Sequence, residues 1–424
     1  MTFKKIIGEI HLWLGFASGL VVLILGITGC LYAFEEEIRA WVYSDKLEVY
    51  APVDTNTYPL SQNLEAAQKG LGEQFPIQLI IAKNSPQSSL IFWHTQRSEE
   101  ASGIWFWDEI KSNFSVYLNP YNSEILEIED ATFEFFHIIL MLHWSLLLKD
   151  DIGQPIAGVA TLIFIIMLIT GLILWWPKNK KALKMNTWFR WKETTKWRRK
   201  NYDLHNIVGF YSMFFALVVA LTGLVWAFEW FDTGVQWLAN GGETIEKERA
   251  KITSTISNGN TSDPLDLAYH HLKVNHSQAE IYYINLPQDS LGTITSYVAY
   301  EDLTRNVSLQ FDQYSGALLH TGGKWEDKTN GEKLRAYNYD IHTGAIGGLV
   351  GKTVAFFLGL FSASLPITGF IIWWNKRKGK KIVSGYDAEP KPTNNPRPVL
   401  KPSTIRKRAE QKDPVFQVKN ITEQ

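Results

Sequence analysis

The chain has 424 residues, with 42 Lys and Arg against 43 Asp and Glu, and its mean hydropathy is −0.11. A single cysteine, Cys30, excludes an intrachain disulfide and a metal cluster ligated by cysteines. We expect no nucleic-acid partner. These averages are typical of a soluble protein, and they conceal a strongly uneven distribution of apolar residues along the chain.

Four uncharged apolar runs are each long enough for a helix to cross about 30 Å of hydrocarbon. They are Leu12–Phe34, Ile152–Trp176, Leu204–Phe228 and Thr353–Trp374. We interpret the first run as a retained span and not as a signal peptide. No small-residue cleavage site follows it, and it has a counterpart inside the chain.

The first and third runs repeat each other at an offset of 194 residues. His11, Gly15, Phe16, Ser18, Thr28 and Gly29 recur as His205, Gly209, Phe210, Ser212, Thr222 and Gly223. The second and fourth runs match through Thr170-Gly171 and Thr368-Gly369, at an offset of 198. Both halves begin on the same side, so we predict an α-helical membrane protein whose four-helix bundle arises from a parallel internal repeat.

Lysine and arginine are distributed unevenly between the connecting segments. Residues 178–203 carry ten Lys and Arg against two acidic residues, whereas residues 35–150 carry seven against eighteen. The positive-inside rule therefore predicts that both termini are cytoplasmic. The predicted organisation is span 1–34, outer domain 35–130, interfacial helix and span 131–177, basic cytoplasmic loop 178–203, span 204–228, outer domain 229–340, span 341–375 and a largely disordered cytoplasmic tail 376–424.

The two outer segments are rich in β-branched and aromatic residues and read as small α+β domains. In the first segment we predict strands within Pro76–Trp93, Ile104–Trp107 and Phe114–Leu118. In the second we predict strands at Ile281–Leu286, Thr293–Tyr300 and Val307–Phe311. Each half would thus consist of one span, an outer domain and a second span.

Histidines within or beside the apolar runs are candidate functional residues, because polar side chains are costly in a membrane. A twofold axis along the membrane normal would bring His11 to face His205, and His143 to face His342. We call His11 and His205 the inner pair, and His143 and His342 the outer pair. His137 is the alternative outer ligand. By default, His94, His270, His271, His276 and His320 are solvated residues of the outer domains.

Facing imidazoles on neighbouring apolar helices suit b-type haem, and Gly15 and Gly209 could leave room for a flat macrocycle. Zinc is less favoured, because no His/Glu cluster completes four ligands. For a single histidine, a structural hydrogen bond or a proton relay is an equally good interpretation. Two pairs related by one repeat favour haem. Thr-Gly pairs such as Thr28-Gly29 are interpreted as helix-packing contacts.

The chain resembles the PepSY-associated transmembrane proteins, which include inner-membrane ferric-siderophore reductases of Gram-negative bacteria. The resemblance covers about residues 1–380 and rests on several short motifs. They are His11-Leu12 with Gly15, Leu142-His143 with Gly153, the run Ile169–Pro177, Tyr202-Asp203-Leu204-His205 with Gly209, and Ile341-His342-Thr343-Gly344. In place of the family's usual Asp-Pro-x-Thr-Gly turn, the first outer domain has Asn119-Pro120-Tyr121-Asn122-Ser123 and the second has Asp312-Gln313-Tyr314-Ser315-Gly316.

The resemblance implies PepSY-like periplasmic domains and a di-haem b reductase of the bacterial inner membrane. Such a protein would pass electrons to a periplasmic ferric siderophore and release ferrous iron. No Gly-rich nucleotide fingerprint is seen, so the electron donor would be quinol or a cytoplasmic reductant. The alternative is a non-catalytic, membrane-anchored module that binds a peptide, a siderophore or a peptidase. A transporter is a second rival, but the four runs contain no Asp, Glu, Lys or Arg.

Overall fold

The computed structural model describes residues 2–53, 56–98, 101–245, 251–256 and 262–384. Its helices are α1 (Phe3–Tyr32), α2 (Glu35–Val42), α3 (Ser44–Leu47), α4 (Leu60–Leu71), α5 (Phe135–Ser145), α6 (Asp150–Trp175), α7 (Lys180–Asn186), α8 (Trp197–Asp203), α9 (Gly209–Ala227), α10 (Glu229–Ala239), α11 (Pro264–Asn275), α12 (Asn330–Ala336), α13 (Asn338–Thr343) and α14 (Gly348–Ser384). Its strands are β1 (Leu79–Lys83), β2 (Leu90–Arg97), β3 (Ile110–Leu118), β4 (Ile125–Asp130), β5 (Ile281–Asn285), β6 (Thr293–Ala299), β7 (Val307–Asp312) and β8 (Leu318–Gly322).

Four helices are long and apolar enough to cross a membrane, in agreement with the four predicted runs. Two of them are α1 and α6, the third is the continuous helix Trp197–Ala227, and the fourth lies within α14. Their surfaces expose large apolar side chains, which is the surface that a lipid environment requires. Examples are Trp13, Leu20, Ile169, Phe214 and Ile367. The chain is therefore a multi-pass membrane protein.

The four spans pack in a closed ring. Helix α1 contacts α6, and α6 contacts α9. Helix α9 and the turn before it reach α14 through His205 and Thr368. Helix α14 returns to α1, where Gly26 and Gly359 lie directly opposite each other. Small residues at this crossing allow the two backbones to approach closely, as is common between membrane helices.

The strands form one antiparallel sheet of eight strands, in the order β4-β3-β2-β1-β5-β6-β7-β8. Each half contributes a helix followed by four strands, α4 with β1 to β4 and α11 with β5 to β8. This matching order is what a duplication would produce, and the duplication itself stays a prediction. One face of the sheet packs on α4 and α11, around fully buried side chains such as Phe92, Tyr282 and Phe311.

The two halves of the sheet meet at β1 and β5, where Ile81 pairs with Tyr283. The sequence pattern predicts two separate outer domains, whereas their strands belong to a single sheet. An unpaired β1 would leave a row of open backbone groups at an edge, and pairing with β5 satisfies them. The helices add a second link, because both the backbone N–H and the hydroxyl of Ser61 donate to the Asp266 carboxylate.

Three sequence expectations need comment. Ile104–Trp107 is not a strand, because its second half enters the 3₁₀ turn Phe106–Glu109. His94 is not solvated, since it is 1% exposed and bonds the Pro76 carbonyl and the Ser112 hydroxyl. The predicted disordered tail starts within α14, and beyond Ser384 it lies outside the described residues.

Replacing Gly26 by alanine should destabilise the bundle. The added Cβ would lie 2.7 Å from the Gly359 carbonyl oxygen and 2.9 Å from the Ala363 Cβ, so α1 and α14 would have to separate. We expect a cost of about 1–3 kcal/mol, which is typical of overpacking. Gly8→Ala is the matched control, because its Cβ would meet only the Leu174 Cδ2 at 3.9 Å. Thermal unfolding in detergent should show a lower midpoint for Gly26→Ala alone, and an unchanged midpoint would contradict this packing.

Candidate functional site

The inner pair lies at one end of the four-helix ring. His11 is on α1, and His205 is in a π-helical turn, Leu204–Val208, that joins α8 to α9. The centroids of the two rings are 6.4 Å apart and their planes are nearly perpendicular, at 89°. A π-helical turn inside a helix is rare and frequently marks a functional position. The two predicted inner histidines are therefore brought together across the bundle.

The outer pair lies at the other end, on two short helices that each precede a span. His143 is on α5 and His342 is on α13. Their ring centroids are 6.1 Å apart, with an interplanar angle of 72°. Along α1, seventeen residues separate His11 from Thr28, the residue that contacts His143. At 1.5 Å per residue, the two pairs are about 25 Å apart along the bundle.

Each of the four histidines makes the same contact with a threonine on a neighbouring helix. In every case the Nδ1 atom of the ring lies 2.9 Å from a threonine Oγ1 atom. The partners are His11 with Thr170, His143 with Thr28, His205 with Thr368 and His342 with Thr222. Helices α1 and α9 thus each carry a threonine that holds an outer histidine, and α1 also carries an inner histidine.

The hydrogen-bond network assigns the tautomer of these rings. Each threonine hydroxyl donates its one proton within its own helix, for example from Thr170 to the Ile166 carbonyl at 2.8 Å and from Thr222 to the Val219 carbonyl at 2.8 Å. The hydroxyl can then only accept from the imidazole, so Nδ1 carries the ring proton. His342 confirms the direction, because its Nδ1 also lies 3.1 Å from the Val219 carbonyl oxygen. The Nε2 atom of each ring keeps its lone pair.

A glycine follows each of these threonines and lies against the same histidine ring. A Cβ at this position would stand 3.3–3.4 Å from the ring Cε1 atom, at the limit of ordinary contact. The glycines are Gly29, Gly171, Gly223 and Gly369. Each Thr-Gly dipeptide therefore bonds one edge of an imidazole with its hydroxyl and makes room for the ring with its glycine.

The spacing of the facing rings is compatible with a metal ion bound between two imidazole nitrogens. Two metal–nitrogen bonds of about 2 Å, plus roughly 1 Å from each nitrogen to its ring centroid, require a separation of about 6 Å. The observed separations of 6.4 Å and 6.1 Å agree with this requirement. Within the described residues, no group of three or more His, Cys, Asp or Glu side chains could hold a metal ion. Two imidazole nitrogens are the donors that each pair could offer to a metal or a cofactor.

His137 is not brought to any other candidate histidine. Its Nδ1 lies 2.9 Å from the Thr132 carbonyl oxygen, and its ring packs edge-on against Phe106. Because a carbonyl oxygen only accepts, Nδ1 donates this bond. The ring that faces His342 is that of His143. His137 instead belongs to the local structure at the start of α5.

A network of charged side chains ties the start of α5 to the sheet. Glu134 caps α5 by accepting from the backbone N–H of His137, and Arg39 donates to the same carboxylate at 2.5 Å. The hydroxyl of Tyr43 also donates to Glu134, and burial together with this bond raises the pKa of Tyr43 to about 12. Lys46, only 4% exposed, pairs with Glu129 on β4 at 2.9 Å. The first turn of α5 is thereby fixed to the sheet edge, two turns before His143.

Sequence reasoning missed the contacts that the histidines make with the threonines and with the glycines that follow them. Thr28-Gly29 and its counterparts were interpreted as packing contacts, although each bonds a histidine. The space beside Gly15 is filled by the flexible Met167 side chain, whose Cε would be 3.0 Å from an added Cβ. A signal was available, because Thr-Gly occurs at a matching position in all four spans.

Residues 9–376 match the sequence profile of one family, described as the PepSY-associated TM region. The match includes all four spans, the eight-stranded sheet and both histidine pairs. No curated protein matches the chain.

If the outer pair holds the haem expected from the sequence, replacing Thr222 by valine should weaken the binding of that haem. Valine keeps the shape of threonine but cannot accept from the Nδ1 of His342, and loss of such an orienting partner typically costs about 10–100-fold in metal affinity. Thr222→Ser keeps the hydroxyl and is the matched control. Titration of the haem-free protein with haem, followed by absorption, should resolve one weakened site in the valine variant. Equal affinities for both variants would show that the hydroxyl does not matter.

Proposed function

We propose that this chain, which belongs to the PepSY-associated TM region family, is a transmembrane reductase that holds two b-type haems, one at each histidine pair. It would pass electrons across the membrane to a ferric siderophore and release ferrous iron. One observation carries the proposal. Four histidines in an apolar bundle each have Nδ1 bonded to a threonine and Nε2 left as a lone-pair donor, and they face each other in two pairs.

The residues of the chain fit this cofactor in number and in chemistry. His11 and His205 would hold one haem, and His143 and His342 would hold the other. Bound b haem would supply a one-electron ferric/ferrous couple. The threonines keep each ring in one tautomer and orientation, and hydrogen bonding to the far nitrogen increases the basicity of the ligating one. The apolar side chains of the spans exclude water from the region between the pairs.

The arrangement of charge supports an orientation in the bacterial inner membrane with both termini in the cytoplasm. The basic segment 178–203 adjoins the inner pair, and Lys4 on α1 donates to the Trp176 carbonyl at the same end. The sheet adjoins the outer pair and would lie in the periplasm, where the ferric siderophore would bind. Electrons would enter at the inner pair from quinol or from a cytoplasmic reductant.

The rival from a different class is a membrane-anchored module that binds a peptide, a siderophore or a peptidase without catalysis. The sheet would serve that role equally well. That reading assigns no role to the four histidine–threonine contacts, which repeat with the same atoms and the same 2.9 Å distance. Polar side chains placed within a membrane bundle are usually functional, so we favour the reductase.

The purified protein should contain two b haems, and removing one pair should remove one haem. We expect a pyridine haemochrome assay to give about two haems per chain for the wild type and about one for His143→Ala/His342→Ala. His137→Ala is the matched control on α5 and should keep two. A wild type without haem, after expression with adequate haem supply, would overturn the proposal and favour the binding module. Loss of a haem from His137→Ala alone would reassign the outer ligand.

The protein in liposomes should reduce an external ferric siderophore with electrons supplied from the inside. With dithionite enclosed in the vesicles, we expect ferrous iron to appear outside, where a ferrous chelator detects it. His143→Ala/His342→Ala should abolish this signal, because the path across the bilayer is interrupted at its outer end. Protein-free vesicles with the same enclosed dithionite correct for leakage. A wild-type rate equal to that of the double variant would contradict transmembrane electron transfer.

A further inference from the structure

The same five-residue pattern ends in one histidine of each pair. Asn201-Tyr202-Asp203-Leu204-His205 and Asn338-Tyr339-Asp340-Ile341-His342 differ only by leucine and isoleucine. One segment belongs to the inner pair and the other to the outer pair, and the predicted repeat does not relate them. Both asparagines are buried, at 1% and 4% exposure. A buried amide in a membrane bundle needs a hydrogen-bond partner.

Each asparagine bonds the threonine that holds the histidine of its own segment. The Asn201 Nδ2 donates to the Thr368 carbonyl oxygen at 3.0 Å, while His205 bonds the Thr368 hydroxyl. The Asn338 Nδ2 donates to the Thr222 carbonyl oxygen at 3.1 Å, while His342 bonds the Thr222 hydroxyl. Four residues along a helix bring asparagine and histidine to the same face. One threonine is therefore bound at two points by one helical segment.

The other histidine of each pair has no such asparagine. Four residues before His11 stands Ile7, and four residues before His143 stands Ile139. A hydrocarbon side chain cannot donate to the carbonyl of Thr170 or Thr28. Each facing pair thus contains two unlike histidines. One lies on a segment that bonds its threonine through both the asparagine and the imidazole, and the other lies on a segment that lacks the asparagine bond.

We propose that His205 and His342 are the permanent ligands of the two haems, and that His11 and His143 are the exchangeable ones. This inference rests on the proposed haem function. We call a histidine braced when its segment also makes the asparagine–threonine bond. A braced histidine loses less conformational freedom when it binds the iron, so it should retain the haem better than its unbraced partner when the other histidine of the pair is removed. Asn201 and Asn338 are positioning residues, since they act through the threonines and the helices.

Other contacts of the second-half rings agree with this assignment. His342 packs edge-on against Trp226, with ring centroids 5.2 Å apart. His205 lies in the π-helical turn, one turn after Asn201. Exchange at the outer pair would break the bond between iron and the His143 Nε2 and form one to an external ligand, with His342 still bound.

The test compares single variants of the outer pair in the full-length protein. We expect haem loss to an apo-globin scavenger to be about threefold to tenfold slower from His143→Gly than from His342→Gly, which corresponds to the worth of one hydrogen bond. Carbon monoxide should bind the reduced haem in both variants, since each leaves one axial position open. His11→Gly and His205→Gly provide the same comparison at the inner pair.

Asn338→Leu then separates positioning from general stability. Added to His143→Gly, it should raise the rate of haem loss threefold to tenfold, because the remaining His342 loses its brace. Added to His342→Gly, it should change the rate less than twofold, because the remaining His143 never used Asn338. Equal rates for the two single variants, or an equal effect of Asn338→Leu in both, would overturn the inference. A wild type without two haems would instead refute the proposed function.

Discussion

The hydrogen bond from a histidine Nδ1 to a threonine hydroxyl on a neighbouring helix is the constraint on which the bundle depends. The hydroxyl has already donated its proton to its own helix, so it accepts from the ring and fixes the tautomer. At 2.9 Å the bond also sets how closely the two helices approach. A Cβ after the threonine would press on the ring, which is why glycine follows it at Gly29, Gly171, Gly223 and Gly369. Helix spacing, ring orientation and the free Nε2 thus have one common cause.

The sheet is coupled to the same arrangement through the start of α5. Glu134 accepts from the first turn of α5 and from Arg39, while Lys46 joins the neighbouring segment to β4. Buried ion pairs of this kind are costly to break, because removing one partner leaves an uncompensated charge. The first turn of α5 is therefore anchored to the sheet, whereas His143, in the last turn of that helix, is held by Thr28 within the bundle. The β1–β5 pairing makes that sheet a single body shared by both halves.

Sequence reasoning found the spans and the two histidine pairs, because long apolar runs and a polar residue repeated within them can be recognised from the sequence alone. It missed the threonines, because the partner of His11 is 159 residues away and a threonine in an apolar helix is usually a packing residue. The single sheet was missed for a related reason. Pairing of Ile81 with Tyr283 depends on long-range tertiary contacts, and either strand alone reads as an ordinary edge. The pentapeptide that ends in His205 and again in His342 was visible in the sequence, but its meaning required the contacts of its asparagine.

The two halves share the histidine–threonine contacts, but only the histidines of the second half are preceded by an asparagine that bonds the same threonine. A physical reason for this difference can be given. Two rings that are both held rigidly would need a perfect initial separation, because neither could adjust to the cofactor. If neither ring were braced, the free-energy cost of ordering both rings would lower the affinity for the cofactor. In the proposed haem sites, one braced ring and one adjustable ring would avoid both problems, since the first would define the site and the second would close onto the cofactor. Because the braced ring comes from the second half at both ends of the bundle, the predicted repeat produces two equivalent sites while each site remains internally asymmetric.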